Sequence, residues 1–231
     1  MRRSTNEHTS SVAVAYFRAA IIAVAPLVLL AAFAYHPHIM FLPSAEAVAH
    51  AVQAGTLRWG IAHLGVGVGA ALMAAAFVAV GGHLGDVDDH RPSVAVGVPL
   101  AALGAGLYAI LPGMEFTVLA AAHTGADVVA AQKAIDSWFV PTMMSSAIFN
   151  AAGLTILARA VSGSDVLAGR MRSVVVAALF VMAVSRFVPI GPVQFYVQGV
   201  AGIVAFWPVA YHIVRRTLAR DLEHAQPMPA V

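Results

Sequence analysis

The chain has 231 residues, of which 60% are hydrophobic and only 10% are charged. A soluble globular domain carries about 25% charged residues, so the composition excludes an ordinary soluble fold and indicates that lipid covers much of the surface. The chain contains no Cys, which excludes disulfides and thiolate metal sites. Its 13 Lys and Arg residues are spread over short loops and tails without a basic stripe, so we expect no nucleic-acid partner.

Six apolar stretches are long enough to cross a bilayer as helices. A transmembrane helix needs about 20 apolar residues for a hydrocarbon layer of ~30 Å, whereas the strands of membrane barrels are about 10 residues long and alternate in polarity. The stretches cover residues 19–35, 59–82, 93–122, 138–158, 173–190 and 194–214. The sequence therefore predicts an all-α polytopic membrane protein. Its single six-helix transmembrane domain would span 19–214, between cytoplasmic segments at 1–18 and 215–231, with a disordered tail at 226–231.

The first stretch has an alternative interpretation. Arg2 and Arg3, the short apolar run and the small residues Ala32 and Ala34 resemble a secretory signal with its cleavage site. Pro26 within the run and the multi-span body that follows favour a first transmembrane helix instead. Cleavage would leave five spans.

The distribution of Lys and Arg predicts which way the chain crosses the membrane. Basic residues collect in cytoplasmic loops, and Trp rings prefer both membrane interfaces. With a cytoplasmic N-terminus, ten Arg lie inside and three basic residues outside, which requires an even number of spans. The inner set is Arg2, Arg3, Arg18, Arg91, Arg159, Arg170, Arg172, Arg215, Arg216 and Arg220; the outer set is Arg58, Lys133 and Arg186. Trp59 and Trp138 then start two spans at the outer interface. We expect a cell-membrane protein with both termini in the cytoplasm.

Two outer loops are predicted to contain short helices. Ser44 is a candidate N-cap, with Glu46 in the first turn and Gly55 at the end. Thr124 followed by Asp127 resembles a capping box that opens a second short helix ahead of the fourth span. Both segments are rich in Ala and Val, so we expect them to lie at the membrane surface.

Small residues on the second span predict close helix packing. Gly65 and Gly69 are four residues apart, a spacing that lets another helix backbone approach. His63 points to the opposite face. On the fourth span, Ser145 and Ser146 are expected to bond back to carbonyls of their own helix.

Arg186 is the sharpest anomaly within a predicted span. It lies fourteen residues beyond Arg172, which is about 21 Å along a helix, so it falls in the outer leaflet. An arginine inside hydrocarbon is costly and usually has a protein partner. Glu115 reaches the same level if its helix continues through Pro112, and Tyr108 then shares its face. We predict an Arg186–Glu115 contact, with snorkelling of Arg186 to the outer headgroups as the alternative.

Three functions are compatible with these polar residues. The first is a non-enzymatic scaffold, accessory subunit or sensor, which the scarcity of intramembrane polar residues favours. The second is a carrier for an anionic or amphipathic small molecule in an outward-facing cavity. Its candidate ligand-binding residues are Arg186, Glu115, His63, Tyr108, Gln194 and Gln198. The expected partners are the lipid bilayer and, as candidates, a small molecule, another membrane protein or a second copy of the chain.

The third function is a membrane-embedded enzyme with a divalent metal ion. Imidazole and carboxylate groups together suit zinc or copper, and Glu46 and His50 would share one helix face. The candidate ligands are His36, His38, Glu46, His50, His63, Glu115, His123 and Asp127. The sequence contains no HExxH motif and no four-ligand cassette, so scattered, solvated histidines are the simpler interpretation. No other cofactor is indicated.

Overall fold

The computed structural model describes residues 2–38, 44–87 and 91–225, with side chains at 12–38, 44–87 and 92–222. The described residues form seven α-helices and no strand. The helices are α1 (Arg2–Tyr35), α2 (Ala45–Ala54), α3 (Thr56–Val87), α4 (Arg91–Thr124), α5 (Val128–Gly163), α6 (Gly169–Ser185) and α7 (Gly191–Ala225). The tail predicted at 226–231 lies outside the described residues.

Five helices are long and apolar enough to cross a membrane. Their apolar spans are Val12–Tyr35, Thr56–Val87, Pro92–Thr124, Val128–Gly163 and Gly191–Leu222. The predicted all-α class is confirmed, and these spans indicate a membrane-embedded protein. The helix α6 is shorter, with 17 residues, and the count of six spans stays a prediction.

Six of the helices form a closed ring. The helix α1 packs against α3, the chain continues around the ring through α4, α5 and α6 to α7, and α7 packs against α1. Short connections from α3 to α7 make consecutive ring helices antiparallel neighbours, whereas α1 and α3 are joined through residues 36–55, which include α2. The core fills the space between them; its fully buried large residues include Ile22, Phe33, Phe77, Leu154, Leu157 and Met182.

The helix α2 covers one end of the ring, which we name the α2 end. Val48, Ala49 and Val52 of α2 are buried in a small hydrophobic cluster together with Trp59. Trp59 is only 1% exposed, so its ring packs under α2 inside the protein, and its position at the membrane interface stays a prediction. Trp138, in contrast, is 72% exposed.

One of the two short helices predicted in the outer loops is present as a separate helix. Ser44 caps α2 as predicted: its Oγ accepts a hydrogen bond from the Ala47 N–H at 3.2 Å. The second prediction is wrong, because Thr124 belongs to α4 and its hydroxyl donates to the Ala120 carbonyl at 2.9 Å. Asp127 is the cap, and it opens α5, which continues without a break to residue 163.

Close backbone approaches hold neighbouring ring helices together. A Cβ atom added at Gly69 would lie 2.9 Å from Leu29 Cα, and one at Gly65 would lie 3.1 Å from Ala32 Cβ. The predicted small-residue face of α3 therefore packs against α1. A methyl group at Gly153 of α5 would collide with the α4 backbone, so α4 and α5 approach just as closely.

Candidate functional site

Arg186 follows the last residue of α6 and is buried. The helix ends at Ser185, whose hydroxyl donates to the Met182 carbonyl at 2.9 Å. Pro189 disfavours helical conformation at the residue before it, so the helix predicted to continue to residue 190 stops short. Arg186 is 7% exposed and lines the interior of the ring, which excludes snorkelling towards headgroups.

Residues of α4 and α5 hold the guanidinium of Arg186. Its Nη2 donates a hydrogen bond to Ser146 Oγ at 2.8 Å, and its Cζ lies 3.9 Å from the centroid of the Tyr108 ring. Ser146 Oγ in turn donates to the Gly104 carbonyl at 2.8 Å, so the prediction that Ser146 bonds to its own helix is wrong. Gln194 Nε2 donates to the Arg186 carbonyl at 3.2 Å and so fixes the turn between α6 and α7.

The predicted Arg186–Glu115 contact is replaced by a different ion pair. Glu115 Oε2 lies 2.8 Å from His63 Nε2, with side-chain exposures of 11% and 6%. Tyr108 interacts electrostatically with both Glu115 and Arg186. Glu115 is seven residues beyond Tyr108 on α4, about 10 Å along the helix. It therefore reaches the level of His63, nearer to the α2 end.

A cavity of about 20 Å³ lies at the centre of the ring. Every ring helix contributes to its wall: Leu29 on α1, Phe77 on α3, Tyr108 on α4, Asn150 on α5, Met182 on α6 and Gln198 on α7. Arg186 and Ser146 also line it. Three of the predicted ligand-binding residues, Arg186, Tyr108 and Gln198, therefore meet here, whereas His63 and Glu115 form their own pair.

Several polar atoms around this cavity have no hydrogen-bond partner. They are Arg186 Nε, Arg186 Nη1, Asn150 Oδ1 and Gln198 Oε1. Each buried polar atom left unpaired costs about 1–3 kcal/mol. The cavity holds about one water-sized group, so there is room for one small polar group beside these unpaired atoms.

Aromatic pairs flank the cavity along the ring axis. Towards the α2 end, Phe33 stacks on Phe195 with ring centroids 4.6 Å apart and planes 9° apart. On the other side, Phe77 meets Phe206 edge-on at 5.5 Å. Phe195, Gln198 and Phe206 all lie on α7, so the cavity-lining amide sits between the two pairs.

A histidine pair lies beyond the first aromatic pair, at the α2 end. His36 Nε2 is 3.3 Å from His63 Nε2. The remaining ring nitrogens face carbonyls: His36 Nδ1 lies 2.8 Å from Pro37 O, and His63 Nδ1 lies 2.8 Å from Trp59 O. Burial and, to a smaller extent, the neighbouring His63 together lower the pKa of His36 to about 3.

The structure does not assemble the predicted metal ligands. Of the eight candidates, only His36, His63 and Glu115 meet. Within the described ranges, no group of three His, Asp or Glu side chains is arranged to hold a metal ion. Three other candidates have different partners: His38 is hydrogen-bonded to Tyr196 at 3.1 Å, Glu46 forms an ion pair with Lys133 at 3.1 Å, and Asp127 caps α5. The last two, His50 and His123, are exposed.

The chain was compared with models of protein families, with curated proteins and with solved structures. No family model, no curated protein and no solved structure matches it.

Proposed function

We propose that the chain is a membrane carrier for a small anionic solute, which binds to Arg186 inside a ring of six transmembrane helices. The observation that carries the proposal is a guanidinium buried in a central cavity with two of its nitrogens unpartnered. The proposal has three parts, namely the number of spans, the charge of the guest and its passage through the ring.

The short helix α6 is proposed as the sixth span. Its 17 residues cover about 26 Å at 1.5 Å per residue, which is at the lower limit for crossing a ~30 Å hydrocarbon layer. It packs between α5 and α7 as a member of the ring. Six spans would put both termini on one side, and the excess of Arg at the end opposite α2 supports a cytoplasmic location for that side.

Single-cysteine labelling tests this topology directly, because the natural chain has no Cys. Ala126 lies in the exposed turn between α4 and α5, and Leu222 is exposed near the end of α7. We expect Ala126→Cys to react with a membrane-impermeant maleimide in intact cells, and Leu222→Cys to react only after permeabilisation. Labelling of both variants in intact cells would mean that α6 does not cross, and labelling of Leu222→Cys alone would mean the opposite orientation; either result would overturn this part.

The guest is proposed to be an anion because Arg186 lacks a neutralising carboxylate. Among the described ion pairs, Glu115 is bound to His63 and not to Arg186. A buried charge without a counter-charge costs several kcal/mol. A halide or a short carboxylate would accept hydrogen bonds from Nε and Nη1. The unpartnered amide atoms of Asn150 and Gln198 are oxygens, so these amides would have to turn by about 180° for their NH2 groups to donate to the anion.

The cavity size limits this guest. A volume of about 20 Å³ accommodates one water-sized group, so small anions such as chloride and formate are the candidate guests and gluconate is too large. The aromatic pairs Phe33–Phe195 and Phe77–Phe206 lie on either side of Gln198 along α7. We propose that they close the site when the carrier passes between its two open states.

Anion-dependent thermal stability tests the binding site. We expect chloride and formate to raise the melting temperature of the purified protein relative to gluconate at equal ionic strength. At ten times the dissociation constant the stabilisation is about 1.4 kcal/mol, or roughly 3–5 °C for a chain of this length. Arg186→Gln should abolish the shift, and Arg186→Lys should weaken it, since Lys lacks the planar fork.

Arg170→Gln is the matched control. Arg170 carries the same charge and is exposed near the start of α6, so its replacement should leave the anion effect unchanged. Equal anion shifts in Arg186→Gln and the natural chain would assign Arg186 a structural role and favour a scaffold. Anion flux into proteoliposomes, lost in Arg186→Gln, then distinguishes a carrier from a sensor that binds without transport.

A further inference from the structure

We propose that His36, His63 and Glu115 form a proton-binding site that closes the outer entrance of the cavity when it is occupied. The proposal uses the orientation given above for the meaning of "outer". It concerns a second ligand, the proton, and a second location, nearer to the α2 end than the site at Arg186.

The hydrogen bonds of the two imidazoles require one extra proton. Each Nδ1 faces a backbone carbonyl at 2.8 Å, and a carbonyl only accepts, so both Nδ1 atoms carry hydrogen. The two Nε2 atoms lie 3.3 Å apart, and one of them must donate to the other. One imidazole therefore carries two N–H groups, and the His36–His63 pair holds a net positive charge.

Glu115 determines which ring is the cation. Its Oε2 lies 2.8 Å from His63 Nε2 in a charge contact that lacks hydrogen-bond geometry. The carboxylate therefore neutralises an imidazolium at His63, whose single Nε2–H donates to the neutral His36. The lowered pKa of His36 agrees with this assignment. A proton that enters from the outer aqueous phase is thus bound at His63 Nε2 and leaves the three groups with no net charge.

Loss of that proton makes the observed arrangement unfavourable. The lone pair of His63 Nε2 would then face both the carboxylate of Glu115 and the lone pair of His36 Nε2. These contacts connect the end of α1 with α3 and α4, so their loss frees the segment that carries His36. The ring of His36 lies 5.5 Å from that of Phe195, which stacks on Phe33 on the side of the cavity towards the α2 end. Deprotonation should therefore release the outer aromatic pair.

The surroundings contain few other charges that could produce the same effect. His38, in the segment that follows α1, lies near His36. Arg58, in the first turn of α3, interacts electrostatically with both His36 and His38. From α4, Tyr108 interacts with both Glu115 and Arg186. From α7, Tyr196 bonds His38. From α2, the titratable residues Glu46 and His50 are on its exposed side.

Cysteine accessibility measures the entrance without any anion. Ala105 lines the cavity and is 5% exposed, so Ala105→Cys reports access to it in a chain that otherwise has no Cys. The measured quantity is the reaction rate of Ala105→Cys with a membrane-impermeant methanethiosulfonate, divided by the rate of Ala126→Cys with the same reagent. This division corrects for the increase of the thiolate fraction with pH. We expect the ratio to rise about tenfold or more between about pH 5 and about pH 9, the range in which imidazoles exchange protons.

Two variants separate a proton site from a structural contact. In His63→Gln the ratio should be high and independent of pH, because the side chain cannot gain a proton. In Glu115→Gln the pH profile should differ from that of the natural chain, since the imidazolium loses its counter-charge. A ratio that does not change with pH, or an unchanged profile in both variants, overturns the proposal. Because no anion is present, these outcomes do not depend on whether Arg186 binds one.

Discussion

Ser146 connects Arg186 to the backbone of α4: its hydroxyl accepts a hydrogen bond from Arg186 Nη2 and donates one to Gly104 O, each at 2.8 Å. The single hydroxyl thus fixes the guanidinium at the centre of the ring. It can do so because α5 approaches α4 closely at Gly104, where an added Cβ would lie 2.8 Å from Asn150 Cα. A cation without a carboxylate partner depends on such neutral contacts for its position.

Removing the Ser146 hydroxyl should therefore destabilise the fold. We expect Ser146→Ala to lower the free energy of unfolding by about 1.5–3 kcal/mol, the range for hydrogen bonds to charged groups. Unfolding in mixed detergent micelles measures this change. Ser145→Ala is the control, since Ser145 is only partly buried and should change stability by less than about 0.5 kcal/mol. Equal effects of both substitutions would contradict the role given to Ser146.

The close contact between α4 and α5 predicts an asymmetric response to added methyl groups. Gly153→Ala would collide with the backbone of Ala101, so we expect it to cost about 1–3 kcal/mol. Gly106 on α4 has open space around it, and Gly106→Ala should be neutral or stabilise by up to about 1 kcal/mol. The same detergent unfolding assay compares them, and a neutral Gly153→Ala would refute the observed helix spacing.

The hydrophobic cluster under α2 should respond to the loss of Val52. Val52 is fully buried. Val52→Ala removes two methyl groups and should lower the free energy of unfolding by about 1–2.5 kcal/mol. Trp59 shares the cluster, so its fluorescence should shift to longer wavelength as α2 loosens. Gln53→Ala changes the exposed neighbour and is the control. An unchanged spectrum in Val52→Ala would show that α2 does not cover Trp59.

The pH dependence of stability should include a contribution from His36. Its pKa falls from 6.5 in the unfolded chain to about 3, so between these values the unfolded state binds the proton and the folded state does not. Stability is therefore fully present above about pH 6.5 and falls as the pH drops towards 3. We expect His36→Asn to flatten this acid limb of the unfolding curve. His50→Asn, on the exposed side of α2, should leave it unchanged.

The positions of the helices could be predicted well from the sequence, because apolar length and Arg placement report directly on the lipid environment. The spacing of Gly65 and Gly69 likewise predicted the face on which α1 packs. Helix ends were less predictable: α6 stops at Ser185 because Pro189 follows, although apolar residues continue to residue 190. A hydropathy profile does not detect the restriction that Pro189 imposes on the backbone of the residue before it.

Only part of the site can be predicted from the sequence, because the side chains that contact one another are determined by the distances between helices. Arg186, Tyr108 and Gln198 were identified as a group because charge and polarity stand out in apolar spans. The pairing of Glu115 with His63 instead of Arg186 depends on a difference of about 10 Å in height, which a sequence reveals only once helix offsets are known. Ser146 was assigned to its own helix because nothing in the sequence reports the approach of α4.

The closed ring also constrains how the protein is made. The helix α1 is synthesised first, yet one of its two neighbours in the ring is α7, which emerges last. Until α7 inserts, the interior face of α1 and the Arg186 guanidinium are not fully surrounded by protein. During this time they must contact lipid or the insertion machinery. Assembly should therefore finish only after translation has passed residue 225, and polypeptides halted before α7 should be prime targets for quality-control proteolysis.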